Sequence, residues 1–160
     1  MGTSLFIDGS CDPNSKIGYG ALLRLDAGDS RSLVELKGEV RVRRFFPCGS
    51  SSLELMTFLW AIGELEEGAG RVSVFTDSQT MVSLLGRRAD LEASGFCSRS
   101  GRALSQAVLY RDFYDVLDGR EIELVKVAGH GPKAGKSREE LLFALVDRAS
   151  RRALRESARA

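Results

Sequence analysis

Two apolar runs of the chain each end in an aspartate: Leu5-Phe6-Ile7-Asp8-Gly9-Ser10 and Val72-Ser73-Val74-Phe75-Thr76-Asp77-Ser78. Short continuous apolar runs bounded by turn residues read as buried strands. A strand that ends on a carboxylate delivers it to one edge of a sheet, where mixed α/β proteins gather their ligands. Leu53-Glu54-Leu55 lies inside a helical pattern, and Asp147 lies inside a second one further along. Folding of the sheet can therefore bring four acids together. Such a set repels itself unless a cation balances it.

With 160 residues, 43% of them apolar, and 17 Gly spread without a period, the chain reads as a single domain over residues 1–160 with enough core to fold alone. Lys+Arg at 23 against Asp+Glu at 22 leaves a net charge of +1, so any basic surface must be local. The candidates are Arg41-Val42-Arg43-Arg44, Arg87-Arg88, Arg99 to Arg102, and the arginine-rich stretch from Arg148 to Arg159. Taken alone, each reads more simply as a solvated face. Cys11, Cys48 and Cys97 are an odd, widely spaced set without a C-x-x-C pair, and no charged region followed by an apolar signal stretch opens the chain. A reduced, cytoplasmic protein is the expectation. No apolar run approaches the roughly 18 residues of a membrane span, so neither a membrane nor an obligate protein partner is expected.

Along the chain, Ser4 to Gly9 reads as the first strand, a turn follows to Gly18, and Tyr19 to Leu25 reads as the second. The alternation of Leu33, Glu35 and Lys37 with Val34 and Leu36, continued by Val40 and Val42, predicts a third, half-exposed strand and an antiparallel meander. Pro47 to Ser52 break that pattern and offer serine N-caps. Leu53, Met56, Leu59 and Trp60 then recur at helical spacing until Gly68 and Gly70. Arg71 to Thr76 is the fourth strand, Ser78 to Leu85 starts a helix, Gly86 to Gly101 carries no clear pattern, and Ala103 to Leu117 is helical. Glu121 to Val127 is the fifth strand. The last helix carries the stripe Leu142, Leu145, Val146, Ala149 and Ala153. The order predicts a five-stranded mixed sheet, a meander plus two parallel strands joined by helical crossovers, flanked by helices.

Carboxylates suit Mg²⁺, a hard cation that takes oxygen ligands and retains water and substrate oxygens. Asp8, Glu54, Asp77 and Asp147 shared by two ions suit the in-line displacement of a phosphodiester. No phosphate-binding glycine loop ending in Lys-Ser or Lys-Thr, nucleophile elbow or dinucleotide fingerprint competes with this reading. Each acid alone has a plainer explanation: a turn former or cap for Asp77, a solvated helix residue for Glu54, and a surface pair with Arg151 one turn on for Asp147.

The residues resemble the type 1 ribonucleases H (ribonuclease HI-like). The resemblance is carried by Phe6-Ile7-Asp8-Gly9-Ser10-Cys11 with Gly18-Tyr19-Gly20-Ala21, by Leu53-Glu54-Leu55 opening a helix, by Phe75-Thr76-Asp77-Ser78-Gln79, and by Val127-Ala128-Gly129-His130 ahead of Val146-Asp147-Arg148-Ala149. It implies a ribonuclease H-like fold and a metal-dependent endonuclease that hydrolyses the RNA strand of RNA·DNA hybrids with two Mg²⁺ ions, Mn²⁺ being a substitute. It further implies that Asp8, Glu54, Asp77 and Asp147 bind the metal, that His130 assists proton transfer or product departure, and that Asn14, Ser51 and Gln79 face the hybrid. Ser50-Ser51-Ser52 stands where familiar members carry asparagines, the stretch from His130 to Asp147 is longer than usual, and no tryptophan-rich basic protrusion lies between Gly86 and Gly101. Three alternatives stay open. One is another nuclease on the same sheet, of resolvase or exonuclease type. A second is a phosphatase using Asp8 as nucleophile, for which Asp8-Gly9-Ser10 lacks the usual second acid. The third is a non-catalytic hybrid-binding module.

Overall fold

The computed structural model describes residues 2–128 and 136–159. Five strands, β1 (Gly2–Cys11), β2 (Gly18–Asp26), β3 (Arg41–Phe45), β4 (Arg71–Thr76) and β5 (Ile122–Lys126), form one mixed sheet in the order β3-β2-β1-β4-β5. β2 pairs antiparallel with both β1 and β3, whereas β4 pairs in parallel with both β1 and β5. Among the described residues five helices accompany them: α1 (Leu33–Lys37), α2 (Ser50–Gly63), α3 (Gln79–Ala93), α4 (Ala107–Gly119) and α5 (Arg138–Ala158).

The continuous apolar run of β1 follows from burial on both faces of the sheet. Leu5 and Ile7 turn to one side, into a core with Leu55, Phe58 and Ile62 of α2, Met81 and Leu84 of α3 and Phe113 of α4. Phe6 turns to the other side, where Leu142, Phe143 and Val146 of α5 pack on it together with Leu36 of α1. Period-two alternation thus sorts adjacent residues of one strand into two cores.

The expected strand from Leu33 to Val42 is in fact two elements. Ser32 caps α1 by accepting from the Glu35 amide while the Glu35 carboxylate accepts from Ser32, a reciprocal cap that opens a helical turn. Only Leu36 of this turn is fully buried, and Val34 is 84% exposed. The alternation there is spacing without a matching burial pattern. β3 begins only at Arg41. The stretch from Gly86, which carries no clear pattern in sequence, continues α3 as far as Ala93. The serine run supplies no N-cap for α2: Gly49 holds that position, and Ser52 reaches back to accept from the Gly49 amide at 2.8 Å.

Two glycines set how closely α2 lies on the meander. A Cβ at Gly18 would stand 2.5 Å from Cys48 Sγ, and one at Gly20 would stand 2.4 Å from Thr57 Oγ1. Thr57 is wholly buried, its hydroxyl donating to the Leu53 carbonyl at 2.7 Å, so it has nowhere to retreat. Gly18-Tyr19-Gly20 is therefore the seat of the helix that carries Glu54. The same approach places Cys11 Sγ 3.9 Å from Cys48 Sγ, a proximity hidden by their separation in sequence.

Gly20→Ala is expected to lower stability by about 1–3 kcal/mol, the usual cost of overpacking. Gly86→Ala, at an exposed helical position with open space around its Cβ, is expected to raise stability by about 0.5–1 kcal/mol. Thermal melts of the two variants check this, and a Gly20→Ala melt at or above that of the wild type would contradict the close seating of α2.

Candidate active site

Asp8 and Asp77 reach the same end of the sheet because β1 and β4 are parallel and in register, with Phe6 opposite Phe75. The two rings stack at 4.6 Å with planes 10° apart. Two residues beyond that stacked pair, each strand delivers its aspartate. Asp8, Glu54, Asp77, Gly9, Thr57 and Met81 line one small cleft at this point.

Glu54 enters from the first turns of α2, and its carboxylate accepts from Ser78 Oγ at 2.6 Å. Ser78 is itself buried and caps α3, accepting from the Met81 amide at 3.1 Å, while its own amide donates to Thr76 Oγ1 at 3.1 Å. One serine thereby ends β4, starts α3 and orients the acid of α2. Ser78 was not among the residues expected at the site. Its one signal in sequence is its place immediately after Asp77, at the start of a helical pattern.

Asp147 comes from α5 and lies close enough to Asp8 to raise its proton affinity. A tie next to it holds the helix in that position: Ser150 is fully buried, within 3.2 Å of the Ser10 hydroxyl, and its Oγ also donates to the Asp147 carbonyl. Arg151 Nε donates to Asp147 Oδ1 at 3.0 Å, and a second guanidinium nitrogen meets Oδ2. The plain reading of Asp147 as a partner of Arg151 and the reading of it as a member of the acid cluster both hold. Arg151 also acts electrostatically on Asp8 and Asp77, so it is a cation that faces the cluster.

Crowding shows in the proton affinities. Burial, followed by the charge of Asp77 and the hydrogen bond to Asp147, pushes the Asp8 carboxyl from its ordinary 3.8 up to about 8. Burial also raises Glu54, with the Ser78 hydroxyl opposing and Asp77 adding to the rise. Among the described residues no three His, Cys, Asp or Glu side chains are already arranged as a finished metal cage. Asp8 leans on Asp147, and Asp147 is held by Arg151.

The expected substrate-facing residues are spread around the same end. Asn14 is exposed in the β1–β2 turn, its amide donating to Asp12 Oδ1 at 3.0 Å. Ser51 is half-buried in the first turn of α2. Gln79 opens α3, and its side-chain oxygen accepts from Lys126 of β5. His130 lies outside the described residues.

The sheet order, the helices on both of its faces and the acids at its end together form a ribonuclease H fold. The solution structure of the PFV RNase H domain superimposes with a TM-score of 0.71 at 17% identity, covering 94% of this chain and 92% of that one. Native prototype foamy virus protease-reverse transcriptase gives a TM-score of 0.72 at 16% identity over 94% of this chain and 20% of that one. The foamy viral protease-reverse transcriptase in complex with an RNA/DNA hybrid gives 0.67 at 16% identity, over 94% and 19%. No protein-family model matches the chain, and no curated protein matches it by sequence. No helix among the described residues is long and apolar enough to cross a membrane.

The raised Asp8 carboxyl carries a pH signature. A group that binds its proton more tightly when folded stabilises the fold fully below its unfolded value, and that contribution is lost as pH rises through the folded value. The metal-free protein is therefore expected to lose melting temperature between about pH 3.8 and about pH 8, the ordinary and folded values of Asp8. Asp8→Asn should flatten that decline. Parallel declines in the two proteins across this window would show that Asp8 is not held protonated by its neighbours.

Proposed function

We propose that the protein is a metal-dependent endonuclease that hydrolyses the RNA strand of RNA·DNA hybrids. The observation that carries this reading is the convergence of Asp8, Glu54 and Asp77 in one cleft, with Asp147 close enough to act on Asp8, at the strand ends of a ribonuclease H fold. The hybrid bound by a foamy viral neighbour of this fold supports the choice of substrate.

The donor set fits a hard divalent cation. Every candidate ligand is a carboxylate oxygen, and the raised proton affinities of Asp8 and Glu54 mark crowded negative charge that a cation would balance. Asp8, Glu54, Asp77 and Asp147 are the residues that would hold Mg²⁺, or Mn²⁺ in its place. When bound, two such ions supply an activated water and neutralise the charge on the leaving oxygen. The chain's own groups do the rest. Ser78 keeps Glu54 turned into the cleft. Arg151 keeps Asp147 oriented and lowers the repulsion among the acids. Gln79, Ser51 and Asn14 are the polar groups assigned to the ribose of the hybrid, since contact with a 2′-hydroxyl is how RNA is told from DNA at a given site. His130, the histidine that the family resemblance assigns, assists proton transfer or product departure.

Purified protein with Mg²⁺ is expected to cut the RNA strand of a hybrid and to leave duplex RNA, duplex DNA and single-stranded RNA largely intact. Equal cutting of duplex DNA and hybrid would replace this reading with that of a general nuclease on the same sheet. Asp8→Asn and Asp77→Asn should each lose at least about 100-fold in rate, since lost charge neutralisation costs several kcal/mol and each 1.36 kcal/mol is tenfold. Millimolar Mg²⁺ should raise the melting temperature of the wild type more than KCl of matched ionic strength, because a ligand of the folded state alone stabilises it. An Asp8→Asn variant that keeps more than about a tenth of the rate would remove Asp8 from the metal set.

A further inference from the structure

The arginines that follow Asp147, in α5 and at its C-cap, fall into two sets. Arg151 turns to Asp147 and the acid cluster, whereas Arg148, Arg152, Arg155 and Arg159 recur at intervals of four, three and four residues, which places them on one face of the helix. At a rise of 1.5 Å per residue this face is about 16 Å long. It borders a groove between α5 and the β3 edge of the sheet, floored by Val40, Val42, Ala149 and Ala153 and bounded on the far side by Lys37.

The path of α5 decides what this face can meet. Arg138 reaches the Arg31 carbonyl at 2.9 Å, beyond the C-terminal end of β2 and so at the far end of the sheet from the cleft. Asp147 then meets Asp8, and Ser150 meets Ser10. Beyond Ser150 the helix runs along the β3 edge, where Arg152 and Arg155 line the groove with Val40 and Val42; Val42 pairs with Ala21 and Ala21 with Asp8, so the groove lies two strands from the acids and level with them. From Asp147 to Arg159 the chain carries five Arg against two acids, Asp147 and Glu156. Asp147 is taken by Arg151, and Glu156 by Arg152 at 2.8 Å. Arg148, Arg155 and Lys37 are exposed and make no ion pair among the described residues.

We propose that this stripe grips the sugar-phosphate backbone of the duplex flanking the cleavage site; the proposal rests on the hybrid-hydrolase reading of the neighbouring cleft. One strand of a duplex presents a phosphate every 3.4 Å along its axis, so a basic face of about 16 Å faces about five phosphates. The chain's net charge of +1 leaves no general attraction for a polyanion, so grip on the substrate must come from a local surface, and this one begins one residue after Asp147. The apolar floor suits arginine, whose stem packs on it while the charged head stays at the rim.

Arg148→Gln with Arg155→Gln removes two unpaired cations and leaves the Arg152–Glu156 and Arg151–Asp147 pairs in place. Binding of a labelled hybrid of about 24 base pairs, measured by anisotropy with divalent metal chelated, is expected to weaken at least about tenfold, and the slope of log affinity against log salt to fall by about 2, near 0.9 for each phosphate that is no longer neutralised. The charge-conserving Arg148→Lys with Arg155→Lys should keep the wild-type slope. Unchanged affinity and slope in the glutamine variant would overturn the proposal and leave an acidic protein surface as the partner of this face. The underlying reading is tested separately. Wild type that cuts hybrid while the glutamine variant binds as well as wild type sinks the stripe alone. Weakened binding by the variant, with no cutting by wild type in Mg²⁺, upholds the stripe and sinks the hydrolase.

Discussion

Like-charge crowding at one end of the sheet is the constraint on which the rest of the structure depends. Asp8 and Asp77 arrive together because parallel strands in register cannot deliver them anywhere else. Glu54 and Asp147 are then added from helices on opposite faces of the sheet. The energy of holding four acids together is met by three local devices: protonation of Asp8, a serine hydroxyl given to Glu54, and a guanidinium given to Asp147. Each device lowers repulsion in the absence of a bound cation, and each is of a kind that a divalent cation replaces by direct coordination.

The framework around the cluster is built for close approach. Gly18 and Gly20 let α2 settle onto β2 until Thr57 and Cys48 occupy the space a side chain would need. Ser10 and Ser150 tie α5 to the end of β1. Ser78 joins β4, α3 and Glu54 through three hydrogen bonds. The functional end of the sheet is thus assembled from small residues, because only small residues let helix and strand backbones come near enough for short acidic side chains to meet.

Several elements were legible before the structure. The double-sided burial of β1 followed from its unbroken apolar run, and the helical stripe of α5 from its spacing, because in each case local period and tertiary burial agree. They disagree at residues 33–42, where an alternating pattern conceals a capped turn of helix. The Ser32–Glu35 pair was the true signal there. They disagree again at Gly86, where an exposed glycine interrupts the pattern of α3 but not the helix.

The sequence by itself determined which residues could take part in the chemistry: two strands ending in aspartate, a helical glutamate, a later helical aspartate, and an arginine one turn beyond it. Those follow from residue type and period, which are local properties. Only the tertiary structure decided that Asp8 carries the strongly raised carboxyl, that Arg151 faces the cluster while Arg148 and Arg155 face away from it, and that Ser78 is the residue orienting Glu54. Such assignments depend on distances between groups 24 to 140 residues apart, and no local period encodes which of several chemically similar side chains a folded sheet will enclose.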